Sequence, residues 1–292
     1  MEFKVSTLEG NRQSLDGGAM FGNAPRTMWE QWIQPDELGR IELACRCLLL
    51  EFPGEKILLE TGIGAYMDPK IADRYGVQRQ KDHVLLESLN RLGVSPKEIT
   101  TIILSHLHFD HAGGCLNAFQ GAASPISLAF PSARFVVSRG AWERARSPHF
   151  RDRASFIPGL TELLQKKTLI IIEAGQTSHP DLYPELLNFF TSDGHTPGHL
   201  HTVINGAKEK IVFCGDLVPG LAWLHLPITM GYDRFPELVI DEKRKFYQRA
   251  LAESWHLFYT HDAKTAMSQV ALDEKQRFVS KDARAALVRH AV

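Results

Sequence analysis

Residues 105–114, SHLHFDHAGG, follow directly on the apolar run 101–104 (TIIL) and set four ligand-type side chains, His106, His108, Asp110 and His111, within six positions. A short β-branched run of this kind reads as a buried strand, so the motif hangs from a strand end. If the backbone stays extended past the strand, the two-residue step from His106 to His108 turns both imidazoles to one side, where they can reach one cation. Ala112, Gly113 and Gly114 permit a sharp bend, which lets Asp110 and His111 face a second cation beside the first. Imidazole nitrogen with carboxylate oxygen is a donor mixture that suits zinc and also accepts Mn, Fe or Co. A single HxH pair reads more simply as surface histidines at a turn. Four such residues in one bend do not.

Upstream of the motif, residues 41–52 (IELACRCLLLEF) and 56–60 (KILLE), separated by Pro53 and Gly54, read as a hairpin. Residues 81–92 carry apolar positions at helical spacing and stop at Gly93. Downstream, strands are expected at 133–138, 168–173, 187–191, 202–205 and 210–214, with a helix after Gly140 and another over 237–255. The polar stretch 147–157 (SPHFRDRASFI) reads as a surface loop beside the site. Three further ligand-type residues sit in the second half. DGHTPGH puts His195 in a Gly/Pro turn, FCGD puts Asp216 at the end of one short strand, and FYTHD puts His261 at the end of another. The two halves must therefore converge on one crevice, and residues 1–292 read as a single α/β domain of paired βα halves.

Composition narrows the partners. Lys and Arg total 33 against 34 Asp and Glu, a net charge of -1, which excludes a general attraction to nucleic acid or anionic membrane and favours a small-molecule partner. At 44% hydrophobic the chain can bury a large core. The first fourteen residues lack an apolar signal segment and the apolar runs are too short to span a bilayer, so a cytoplasmic protein is expected. Cys45, Cys47, Cys115 and Cys214 show no CxxC spacing and read as buried reduced thiols. Residues 241–255 and the N-terminal segment could contribute to a homodimer or equally to intramolecular packing.

SHLHFDHAGG, GHTPGH, FCGD and YTHD resemble, in this order and over about residues 41–261, the successive motifs of metallo-β-lactamase-superfamily hydrolases. The resemblance implies an αβ/βα four-layer sandwich, two mixed β-sheets face to face with helices outside. It implies two divalent metal ions, with His106, His108 and His195 on one, Asp110, His111 and His261 on the other, and Asp216 bridging. Water shared by two such ions ionises near neutral pH, and Asp110 could orient it or shuttle its proton. Flavodiiron members carry Glu where this chain has His108, which argues against that redox branch. RNA-processing members bring basic exosites, and no basic cluster stands out here. No GxSxG elbow offers a serine alternative, and Ser105 reads as a strand-end hydrogen bonder. Glu60, in LLETG, reads as an acceptor that pins the ligand loops rather than as a ligand.

The N-terminal DGGAMFG (residues 16–22), Pro25 and Trp29, with GDLVPG, HLP and MGYD downstream, resemble the YtnP-like branch of quorum-quenching lactonases and related organophosphate hydrolases. In that branch the N-terminal segment, here residues 1–35, covers the mouth of the site. Met20, Phe21, Trp29 and Trp223, with His225, are therefore candidate substrate-binding residues, and core or lid packing explains the aromatic ones equally well. Some acyl-homoserine lactonases carry a tyrosine three residues after the bridging aspartate. Pro219 stands there, and His225 or Tyr232 could substitute only if their loop folds back. The resemblance implies an acyl-homoserine-lactone-like substrate. The alternatives on the same site are a phosphotriesterase or arylesterase, a β-lactamase or thioester hydrolase, and a non-catalytic metal-binding protein.

Overall fold

The computed structural model describes residues 3–292. In chain order the strands are β1 (Lys4–Leu8), β2 (Gln13–Asp16), β3 (Arg40–Leu43), β4 (Cys47–Phe52), β5 (Glu55–Leu59), β6 (Thr101–Ile103), β7 (Arg134–Ser138) and β8 (Leu169–Ile172). The second half adds β9 (Leu187–Ser192), β10 (His199–Asn205), β11 (Lys210–Phe213), β12 (Trp255–Phe258), β13 (Met267–Leu272), β14 (Phe278–Arg284) and β15 (His290–Ala291). They form a seven-stranded sheet in the order β15-β1-β4-β5-β6-β7-β8, a six-stranded sheet in the order β14-β13-β12-β11-β10-β9, and a small β2-β3 ribbon.

The central strands are apolar at successive positions because both of their faces are covered. Along β4, Leu48 and Leu50 join the cluster between the two sheets, where they meet Phe213 and Phe258. Cys47 and Leu49 point the other way, into a cluster with Leu85 and Leu89 of the helix Val84–Arg91 and Trp142 of the helix Arg139–Arg146. The second sheet repeats the pattern. Ile211 and Phe213 face inward, while Val212 packs outward against Phe246, Tyr247 and Ala250 of the helix Pro236–Ala252. Helices, sheet, sheet and helices make four layers, the αβ/βα sandwich. No helix among the described residues is long and apolar enough to cross a membrane.

Two boundaries differ from the sequence reading. Residues 41–52 are not one strand, since β3 pairs with β2 whereas β4 pairs with β1 and β5. The intervening Ala44 and Arg46 spend their N–H groups on the carbonyls of His261 and Thr260. The buried Arg46 guanidinium donates to the carbonyls of Tyr259, Asp262 and Thr265. Long-range bonding to the 259–265 loop thus overrides local strand propensity. The long helix ends at Ala252 rather than 255, because Ser254 takes a positive φ of 55° and Trp255 opens β12. All four cysteines are buried and free.

Candidate metal centre

Strand ends deliver the site. Residues 105–111 follow β6, His195 lies in the turn between β9 and β10, Asp216 follows β11, and His261 follows β12. The bend after the first motif must approach the loop after β5 closely. A Cβ on Gly114 would lie 2.0 Å from Thr61 O, and one on Gly113 would lie 2.3 Å from Ile63 O. Those glycines therefore serve close packing as well as the turn.

Three sets of donor atoms converge at cation-holding spacing: His106, His108 and His195; Asp110, His111 and His261; and Glu60, His106 and His111. In the first set His106 Nε2 and His108 Nδ1 are 2.9 Å apart. In the second, His111 Nε2 and His261 Nε2 are 3.2 Å apart. Asp216 lies between the sets, with Oδ2 3.2 Å from His195 Nε2 and Oδ1 3.4 and 3.2 Å from the Nε2 atoms of His111 and His261. Asp110 sits slightly further out, at 3.6 Å from His261 Nε2 and 3.7 Å from His111 Nε2.

Three of the rings are oriented through their other nitrogen. His111 Nδ1 donates to Glu60 Oε2 at 2.8 Å, His195 Nδ1 to Asp233 Oδ1 at 2.9 Å, and His261 Nδ1 to the Ala44 carbonyl at 2.7 Å. Those partners are acceptors only, so in the neutral ring each Nε2 presents a lone pair to the centre. Lone pairs and carboxylate oxygens then crowd together with no donor between them. His195 Nε2 and Asp216 Oδ1 are both buried without a hydrogen-bond partner among the described residues. A divalent cation relieves such a cluster, and nitrogen and oxygen donors of this kind fit zinc or a related ion. Without one, electrostatics shape the protons. Burial opposes charge on His111, His261 and His195, but their polar neighbours together outweigh it and hold all three above the usual imidazole range, Asp216 foremost, with Glu60 and Asp110 at His111 and Asp233 at His195. Burial and the neighbouring rings press His106 and His108 well below it. Asp216 is itself held well below the carboxylate range, burial being overcome by His111, His261 and His195.

The supporting layer was only partly visible in the sequence. Glu60 accepts Ser105 N–H at 2.7 Å as well as His111, in a left-handed conformation (φ 66°). Gln13, whose Nε2 donates to Asp110 Oδ2 at 2.6 Å, carried no local signal, and although Asp233 closes the quoted MGYD, nothing there marks it as a supporting residue. The same holds for His199, which accepts Asp216 N–H at 3.0 Å and stands inside the quoted GHTPGH.

Above the cluster opens a cleft of about 200 Å³ whose lining combines the apolar Leu15, Met20, Leu43, Phe109 and Met230 with the polar or charged Tyr75, Arg151, Asp152, Tyr232 and Arg234. Met20 and Tyr232 reach it. Phe21, Trp29 and Trp223 do not: Phe21 is stacked between Trp223 (4.7 Å) and Trp29 (5.6 Å) in a buried cluster, and Trp223 Nε1 donates to Met20 O. Aromatic surface of that size gains more from mutual burial than from facing a wet cleft. His225 also lies outside the lining, against Trp32 at 4.9 Å.

A model of the metallo-β-lactamase superfamily matches residues 40–261, and the chain belongs to that superfamily. A Bacillus sp. protein named N-acyl homoserine lactonase is 26% identical over 185 residues, which are 61% of this chain and 64% of that one. The match thus spans less than two thirds of that curated relative's length. Among solved structures, a probable metal-dependent hydrolase from Staphylococcus aureus superposes with a TM-score of 0.82 at 23% identity, covering 96% of this chain and 97% of that one. AidC, a dizinc quorum-quenching lactonase, superposes with a TM-score of 0.74 at 22% identity, covering 96% and 94%. At these identities the two structures show the shared fold.

Proposed function

We propose that this protein is a dinuclear metal-dependent hydrolase that opens lactones, with N-acyl homoserine lactones as the leading substrate class. The observation that carries this reading is the crowd of acceptor-only nitrogens and oxygens at the floor of a half-apolar cleft. Two divalent ions, zinc first among them, held by His106, His108 and His195 and by Asp110, His111 and His261 with Asp216 between, would lower the pKa of water and polarise the ester carbonyl. The chain's own groups do the rest. Gln13 Nε2 donates to Asp110 Oδ2 and fixes that carboxylate beside His111 and His261, where it would orient the attacking water or pass on its proton. Leu15, Met20, Leu43 and Met230 hold an acyl chain away from water. Tyr232, its phenol kept protonated by burial and by Asp110, lines the cleft and donates toward the substrate oxygen. Lactonase names among the relatives support the substrate class.

Proton release by zinc-loaded protein on N-acyl homoserine lactones, aryl esters, phosphotriesters, nitrocefin and a glutathione thioester tests the reading. Fastest turnover is expected on the lactones. Rapid phosphotriester cleavage without lactone opening would replace this reading with an organophosphate hydrolase.

A further inference from the structure

One wall of the cleft carries a cation that nothing in the metal chemistry uses. The Arg234 side chain is only 9% exposed, yet none of its guanidinium nitrogens makes a hydrogen bond among the described residues, and Nε and Nη1 are fully buried. Its nearest carboxylate oxygen, Asp152 Oδ2, is 3.6 Å away, beyond hydrogen-bond range. That oxygen is already taken by Arg144, through Nε at 2.8 Å and Nη2 at 2.7 Å. Two guanidiniums therefore share one carboxylate, and the wall keeps an uncompensated positive charge and a set of unused donors. Burying such a group unpaired is costly. Its position is also fixed relative to the cluster, because Arg234 N–H donates to His195 O at 3.1 Å while the adjacent Asp233 holds the His195 ring.

We infer that Arg234 is a specificity-determining residue that receives the amide carbonyl oxygen of an N-acyl lactone. The inference rests on the lactone-opening reading. A strong neutral acceptor set between the scissile ring and an acyl chain matches a guanidinium that lines one cleft with the ligand cluster and with Leu15, Met20 and Met230.

The test compares N-hexanoyl homoserine lactone with γ-decalactone, which lacks the amide, on zinc-loaded wild type, Arg234→Met and Arg234→Lys. Binding of the non-hydrolysed N-hexanoyl lactam analogue is titrated in parallel. Arg234→Met should lower kcat/KM for the amide lactone on the order of 10- to 100-fold, chiefly through KM, and leave γ-decalactone within about twofold. Arg234→Lys, which keeps the charge and controls for folding, should recover part of the loss. Equal falls on both lactones, or none, would overturn the assignment. If wild type opens neither lactone while the lactam binds in an Arg234-dependent way, the lactonase reading fails and the assignment stands. Lactam affinity indifferent to Arg234 would remove it.

Discussion

His111 and His261 bring their Nε2 atoms to 3.2 Å from each other while each commits Nδ1 to an acceptor, Glu60 in one case and the Ala44 carbonyl in the other. Two neutral rings so arranged repel. A proton or a cation between them turns repulsion into attraction, and the flanking carboxylates of Asp110 and Asp216 favour the divalent charge.

Metal removal is the first consequence. Protein stripped with a strong chelator should take up about two zinc ions per chain, and Asp216→Asn should take up fewer, both read by elemental analysis. At a thousandfold excess of metal over its Kd, the loaded form should be more stable by about 4 kcal/mol, seen as a rise in Tm. Unchanged Tm on loading would contradict the coordination.

Glu60→Gln leaves an oxygen for Ser105 N–H but turns an amide toward His111 Nδ1. Zinc affinity should fall by about 10- to 100-fold, measured by competition with a chromophoric chelator. Near-wild-type affinity would mean that His111 is held by packing alone.

The aromatic stack gives a different kind of outcome. Phe21→Ala should cost about 3–5 kcal/mol in denaturant unfolding, because it empties the gap between Trp29 and Trp223. Met20→Ala, on the cleft, should change the preferred acyl-chain length, a readout that a purely structural role would leave unmoved.

Lys243 sets a pH dependence remote from the ligands. It is fully buried, and in its charged form Nζ donates to the carbonyls of His225, Leu226 and Ile228. Burial pulls its pKa down to about 7, with Asp233 opposing. Between pH 7 and the ordinary lysine range the unfolded chain holds a proton that the folded chain lacks, so stability rises with pH there. The gain from this group between pH 7 and 9 should be about 2 kcal/mol, and Lys243→Met should remove it from the urea-unfolding profile.

Much of this architecture can be read along the chain. The run 101–104 and the motif after it share one cause, a buried strand whose end carries the donors, and both the β4–β5 hairpin and the helix Pro236–Ala252 follow from local periodicity. Other features depend on partners far away. The break at Ala44–Arg46 comes from residues over two hundred positions downstream, and Asp233 earns its role only because its loop folds back on His195. The strand β14, FVSKDAR, is largely exposed, so no apolar pattern announced it. Phe21, Trp29 and Trp223 have the composition of either a pocket wall or a core, and burial alone decides between them.

The acceptor that steadies His261 differs in kind from those behind His111 and His195. Glu60 and Asp233 are encoded side chains that a single codon change can delete. The oxygen at Ala44 belongs to the main chain and survives every substitution at that position. One corner of the ligand cage is thus insulated from mutational drift, and only a shift of the backbone between β3 and β4 can loosen it.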